Sequence, residues 1–407
     1  MRIPNINRIR WQSLAAGMII YLSIGLIYAW SIFVTPLESE FGWTRPQTSV
    51  VFTISVISLA FGSVAGSLLV HRFSSKISLR IGALAMASGL ISSTFIHSLG
   101  GLFICYGVIC GFSVGIVYNV NINTVLRWFP DRSGMASGLL LMCYGMGSMV
   151  LGTLSSWIIT QFGWRMAFLI LAAVFGGLVF FLAKWILPPP RRVQHMLALQ
   201  AEHHMAKDKE GEARLDIPTR MVLKRPSAWL YLIWECVLTA TGLGLISHAA
   251  MISLEVMNSV AAATLMTGLI SLANGAGRVC CGMLCDRFRI QRVMLAINLT
   301  GIGALVILYQ SVSLGNHIML FGGSVLLGFI YGGVCTANSI FMRTFYGDAS
   351  YAGNLTLTNF AGGVSALMGP MVMGSLQLQT GSYAVPLLYI LGLACAALGI
   401  QFFIRKP

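Results

Sequence analysis

Four ionisable side chains stand in apolar surroundings, where a charge is costly: Arg278 in LISLANGAGRVCCGMLCDR (269–287), Glu235 in LIWECVLTATG (232–242), and His248 and Glu255 in GLISHAAMISLE (244–255). Each residue type implies a chemistry. A guanidinium keeps its charge at any physiological pH, and its planar fork of donors fits a carboxylate. A secluded glutamate or histidine can take up and release a proton. Asn274 lies one helical turn before Arg278, so it shares a face with it and can orient the guanidinium or donate to the same ligand. Asp286 and Arg287 mark the polar end of this helix, which puts Arg278 about 12 Å further along it. Snorkelling to water over that distance is hard, so Arg278 must face protein, water or an anion. Pairing with Glu235 or with backbone carbonyls is the competing expectation.

Further polar groups interrupt other apolar stretches. YNVNIN (118–123) carries Tyr118, Asn119, Asn121 and Asn123. IYAWSIF (27–33) carries Tyr28 and Trp30, and GFIYGG (328–333) carries Tyr331. Gathered around one arginine, such groups would suit a small organic anion. Each aromatic taken alone would equally well be packing. A candidate substrate set follows: Arg278, Asn274, Tyr118, Tyr331, Tyr28 and Asn121. Glu255, Glu235 and His248 are the candidate proton carriers.

These side chains need a scaffold, and the composition says which. Of 407 residues, 57% are apolar and only 9% charged, against about 25% charged in soluble domains. So little charge cannot cover a water-facing surface, and the chain reads as an all-α membrane protein. Twelve apolar stretches are centred near residues 24, 58, 87, 110, 146, 174, 240, 275, 303, 327, 364 and 393. The net charge of +14 belongs to loops that orient such helices rather than to a nucleic-acid surface. The basic start MRIPNINRIR runs into a full span without a cleavage site, so no cleaved signal peptide is expected.

One long polar segment, 189–226, divides a six-helix half at 1–188 from a second at 227–407. Pro188–Pro190 ends the sixth helix. With both termini and this linker on the cytoplasmic side, all but three of the 26 lysines and arginines fall inside; Arg45 and Arg165 lie outside and Arg278 within a span. The histidines of the linker, His195, His203 and His204, suit a solvated segment better than a metal site. Cys280, Cys281 and Cys285 read as small buried residues, with no ligand spacing for a metal. Gly275 and Gly277 imitate a nucleotide loop, but no strand precedes them, so they signal close helix packing. So do GMASGLLLMCYGMGSMVLG (134–152) and GGVSALMGP (362–370). No metal, cofactor or enzymatic nucleophile–base pair is expected.

The halves repeat one another. SLLVHRFSSK (67–76) answers GMLCDRFRIQ (282–291), and RWFPDRSGMASG (127–138) answers RTFYGDASYAGN (343–354). Two related six-helix halves resemble the major facilitator superfamily, whose substrate site lies between them. GMLCDRFRIQR resembles that superfamily's helix 2–3 signature, which implies a gating role for Asp286 and Arg287. In the first half Ser67 and His71 replace the glycine and the aspartate, so His71 and Arg72 would gate in a way open to protonation. YAWSIFVTPLESEFGW, RWFPDRSGMASG, NGAGRVCCGMLCDR and GNLTLTNFAGGVSALMGP are similar to the oxalate/formate antiporter family and the related monocarboxylate porters. That resemblance implies Arg278 as the substrate arginine, with Tyr28, Tyr118 and Tyr331 as cavity tyrosines. It also relates His248 and Glu255 to the family's His-x-x-Pro-x-x-x-Asp segment, here without its proline. Oxalate exchangers carry a second cation, a helix-eleven lysine, where this chain has Gly362.

The expectation is therefore a secondary transporter of the lactate, pyruvate or formate class, coupled to protons by symport. It would be a monomer in the plasma (inner) membrane, with both termini cytoplasmic. Oxalate/formate-type exchange is the alternative. A drug exporter lacks the first-half carboxylate it would want, and a non-transporting sensor lacks an extra domain.

Overall fold

The computed structural model describes residues 6–43, 45–190, 192–197, 216–347 and 350–405. Twelve long helices run through them. The first, α1, is Ile6–Ile24 continued through a tight 3-10 turn, Gly25–Ala29, into Trp30–Phe41. Then come α2 (Arg45–Arg72), α3 (Ser75–Ser93) and α4, which joins Leu99–Leu102, a π-helical Phe103–Cys110 and Gly111–Leu126. The stretch Ser133–Leu171 is two helices: Gly163 takes φ 78°, which ends α5 and starts α6, and α6 continues to Trp185. The second series is α7 (Pro226–Met257), α8 (Val260–Arg287), α9 (Ile290–Leu314) and α10 (His317–Tyr346). Next comes α11, which joins Tyr351–Ala366, a π-helical Leu367–Met371 and Val372–Thr380. The last is α12 (Ala384–Gln401). Among the described residues, nine segments are long and apolar enough to cross a membrane, one of them the Gly163-divided Ser133–Trp185. The polar start SKISLRIG weakens α3, and glycine and hydroxyl residues dilute α11.

The connections are short and capped where donors would be left bare. Ser74 accepts from the Ile77 N–H, Ser259 from that of Ala262 and Asn316 from that of Met319. Asn258 closes α7 in the left-handed region at φ 48°, a conformation asparagine tolerates.

The chain forms two compact units. One comprises 1–136 with 143–213; the other comprises 214–407 with a short piece of α5, Ser137–Met142. Within each, the same helices meet through glycines. In the first unit Gly62 of α2 lies under the Phe112 carbonyl of α4, and Gly147 of α5 lies on Gly25 of α1. In the second, Gly277 of α8 lies under the Phe329 carbonyl of α10, and Gly369 of α11 under the Ala240 carbonyl of α7. Lipid gives helices no hydrophobic reason to associate, so such backbone approach is what binds them.

The chain is tethered within its unit on either side of the expected linker's undescribed stretch. The Trp128 indole donates to the Leu187 carbonyl (2.7 Å), and the Ile217 N–H to that of Tyr346 (2.9 Å). His195 lies exposed in a short helix at 192–197; His203 and His204 fall outside the described residues.

Candidate functional site

Arg278 is 4% exposed. Its Nε donates to Asn274 Oδ1 at 3.0 Å, and an Nη to the backbone carbonyl of Leu141, in the α5 piece that packs with this unit. Gly138 permits that packing: a Cβ there would come within 2.7 Å of the Arg278 carbonyl. From the other side α10 clamps the same turn. Gly332 lies against the Asn274 backbone, and the Thr336 hydroxyl donates to the Arg278 carbonyl at 3.1 Å. Tyr331, 8% exposed, lays its ring on Gly242 of α7. Arg278 and Asn274 are thus joined on α8, and the stretch of α10 that clamps them carries Tyr331. Two neutral oxygens hold the guanidinium, so backbone and amide contacts, rather than a Glu235 ion pair, are what the geometry displays.

Glu235 is 1% exposed and lies in a different network. Its Oε1 accepts from Asn338 Nδ2 (3.0 Å) and from the Thr239 hydroxyl (3.3 Å). The Tyr231 hydroxyl donates to Asn338 Oδ1 at 2.8 Å, and the Tyr231 ring stacks on Phe341 with centroids 3.5 Å apart. His248 and Glu255 meet through a third residue. The His248 ring lies between the Tyr383 hydroxyl (Nδ1, 2.9 Å) and the Pro370 carbonyl (Nε2, 3.0 Å). A carbonyl only accepts, so Nε2 carries the hydrogen. The Glu255 carboxylate accepts from the Ser382 hydroxyl (2.6 Å) and from the Tyr383 N–H (3.0 Å). Those bonds satisfy donors at the start of α12 and place the carboxylate at its positive end.

Tyr118 and Asn121 lie in the other unit. Tyr118 stacks on Tyr21 at 5.2 Å and meets Tyr144 at 5.3 Å, while the Tyr21 hydroxyl donates to the Tyr118 carbonyl. Asn121, expected at the substrate, is fully buried and donates to the Gly17 carbonyl at 2.9 Å; it braces α4 against α1. Trp30 does likewise, donating to the Thr48 carbonyl and packing on Tyr106. The Tyr28 side chain lies outside the described residues. Of the residues expected to gate, His71, Arg72 and Arg287 are exposed and Asp286 is half-buried; Arg72 lies over Phe73.

The sequence reading missed Tyr21, Tyr144, Tyr231, Asn338 and Tyr383. One signal existed for Tyr21, which lies seven residues before Tyr28 and therefore near its face. For the others the meaning resides in a partner on a distant helix.

Away from these networks, two ion pairs hold opposite ends of α1. Arg10 pairs with Asp131 and lies over Phe129. Arg165 pairs with Glu40 at 2.7 Å, and the Trp164 indole donates to the same carboxylate. The Arg165 guanidinium first, then the Trp164 indole, hold the Glu40 carboxyl below its ordinary value.

Apolar helices paired through glycines, with charges buried among them, are the architecture of a multi-pass membrane protein. The chain belongs to the major facilitator superfamily, whose sequence profile matches residues 14–370. Its relatives include the MFS-type transporter YhjX of Escherichia coli K12, 25% identical over 90% of this chain and 88% of that protein. The oxalate:formate antiporter of Oxalobacter formigenes is 25% identical over 88% of this chain and 84% of its own. Human monocarboxylate transporter 12 is 23% identical over 88% and 73%. In fold, the chain is similar to the proton:xylose symporter XylE, with a TM-score of 0.75 at 14% identity over 98% of this chain and 97% of that one. The fold is thus the twelve-helix major facilitator fold.

Proposed function

We propose that this protein carries a small monocarboxylate of the lactate, pyruvate or formate class across the bilayer, together with a proton. The observation that carries the reading is Arg278: a permanent cation, 4% exposed within a span, held by neutral oxygens that a carboxylate can replace. Asn274 orients the fork; Tyr331 on α10 is the proposed cavity tyrosine of the second half, and Tyr118 and Tyr28 are those of the first. The relatives named for oxalate, formate and monocarboxylates support this substrate chemistry. A single helix-eight arginine with Gly362 in place of a lysine favours one carboxylate over two, because a second unpaired charge in low dielectric is expensive. An anion moving inward alone opposes a negative-inside potential, which a symported proton cancels.

We place both termini and the 189–226 linker in the cytoplasm, the two six-helix halves at 1–188 and 227–407, and the protein as a monomer in a plasma (inner) membrane. His71, Arg72, Asp286 and Arg287 are the proposed gating residues. The test is uptake of radiolabelled lactate and oxalate into proteoliposomes, with and without an inward proton gradient. Gradient-driven lactate uptake that disappears in Arg278→Ala is the expected result. Oxalate exchange indifferent to the gradient would favour the antiporter alternative, and lactate uptake indifferent to Arg278 would overturn the site.

A further inference from the structure

Glu235 begins a polar network that the arginine site does not need. It lies nine residues into α7 from Pro226, about 13 Å along the helix, and is 1% exposed. Its two oxygens are treated differently. Oε1 receives both donors, Asn338 Nδ2 and the Thr239 hydroxyl, whereas Oε2 has no hydrogen-bond partner among the described residues. The division is enforced from behind. Tyr231 donates to Asn338 Oδ1, so that amide must turn its nitrogen towards Glu235, and the stacking on Phe341 fixes Tyr231 in turn.

An ionised carboxylate sealed in this way would leave Oε2 bare in a low-dielectric interior. A carboxylic acid removes the charge: its carbonyl oxygen accepts the two bonds and Oε2 carries the proton, so what stays unpaired is a neutral hydroxyl rather than an anion. The titratable neighbours supply no counter-cation to Glu235 itself. They are Tyr231 and Cys236 on α7 and Cys335 on α10; Cys281 and Cys285 of α8 act on Tyr231, and Arg278 acts on Cys335.

The same helix serves both sites. On α10, Thr336 bonds the Arg278 carbonyl and Asn338, two residues on, bonds Glu235. Any shift of α10 that accompanies an anion at Arg278 must therefore alter the lid over Glu235.

We propose that Glu235 is the proton-binding site of the transport cycle, with Asn338 and Tyr231 as its positioning residues on the helix that also clamps the substrate arginine. The proton passes from hydronium to Oε2, so the Oε2–H bond forms as a hydronium O–H bond breaks, and release to water runs the same exchange in reverse. Of the three candidate carriers, Glu255 caps α12 and His248 bridges Tyr383 and Pro370. Glu235 alone has an oxygen left for the purpose. This inference rests on the proton-coupled reading above.

The test compares two lactate fluxes in proteoliposomes: accumulation driven by a proton gradient, and counterflow against preloaded lactate, which needs no net proton release. The expected result for Glu235→Gln, which keeps the accepting oxygen, is loss of accumulation down to simple equilibration with counterflow retained. Wild type that fails to accumulate lactate would overturn the proton-coupled reading itself, and this proposal with it. Wild type that accumulates alongside an E235Q variant that accumulates equally would overturn this proposal alone. So would folded E235Q that has lost both fluxes, since that marks a brace. Should E235Q not fold, Glu235→Asp decides: it must accumulate lactate with a displaced pH optimum, and an unchanged optimum overturns the assignment.

Discussion

Gly277→Ala tests whether helix approach sets the arginine site. The missing Cβ would lie 1.9 Å from the Phe329 carbonyl oxygen and 2.7 Å from its carbon, both backbone atoms that cannot rotate away. Ordinary contact begins at 3.4 Å, so α8 and α10 must part by about 1.5 Å or bend. Overpacking of this kind typically costs about 1–3 kcal/mol of stability. The neighbouring residue is Arg278, whose carbonyl is bonded across the same crossing by Thr336. If the displacement removes one hydrogen bond between the guanidinium and its anion, worth about 1.5–3 kcal/mol, lactate affinity falls about ten- to 150-fold. The assay is lactate counterflow against concentration, beside thermal unfolding in detergent. Gly303→Ala on α9 is the control, because nothing lies within 4 Å of its added methyl; it should be neutral or stabilise by up to about 1 kcal/mol. A G277A protein indistinguishable from G303A in both measurements would refute the argument from close packing.

Two further predictions concern the helix ends. Glu255→Ala should lower stability by about 0.5–2 kcal/mol through the lost α12 cap, seen as earlier thermal unfolding; a variant of full stability that has lost proton coupling would show that the capping role was misassigned. Because Arg165 holds the Glu40 carboxyl below its ordinary value of 4.5, that pair contributes stability above pH 4.5, and the contribution fades as pH falls through the lowered value. The thermal advantage of wild type over Arg165→Gln should be modest, since the pair is partly exposed, and should shrink only in acid; a gap constant to the lowest accessible pH would contradict it.

The twelve helices could be read from the chain because membrane spans are written locally, as apolar length between polar breaks. Arg278 could be read for the same reason, since a charge among Leu, Ala, Gly and Cys is conspicuous without knowing its neighbours. Asn274 followed by helical spacing alone. What remained hidden depends on which helices cross. Tyr231 and Asn338 are 107 residues apart and individually unremarked, yet together they orient Glu235. Asn121 showed its polarity but not its direction, and the Gly17 carbonyl decides that. Glu255 was legible as an acid near the end of α7, but its partners Ser382 and Tyr383 come from the start of α12. The 3-10 stretch Gly25–Ala29 within α1 left no mark in hydropathy, and the packing of Gly25 on Gly147 involves a helix far along the chain.

The pairing of α8 with α10 also bears on how the chain is made. A ribosome delivers α8 first and must insert it with its arginine before α10 exists, with all of α9 still to come. During that interval Thr336 and the glycines of α10 are absent, and a lone Arg near the bilayer centre costs about 2.5–3.5 kcal/mol at insertion. The α5 segment Ser137–Met142 is already in the membrane by then, and it carries the Leu141 carbonyl that receives the guanidinium. A contact seen in the finished protein is therefore also available as a receptor for the newborn helix, which gives α8 a polar docking point before its permanent partner has been synthesised.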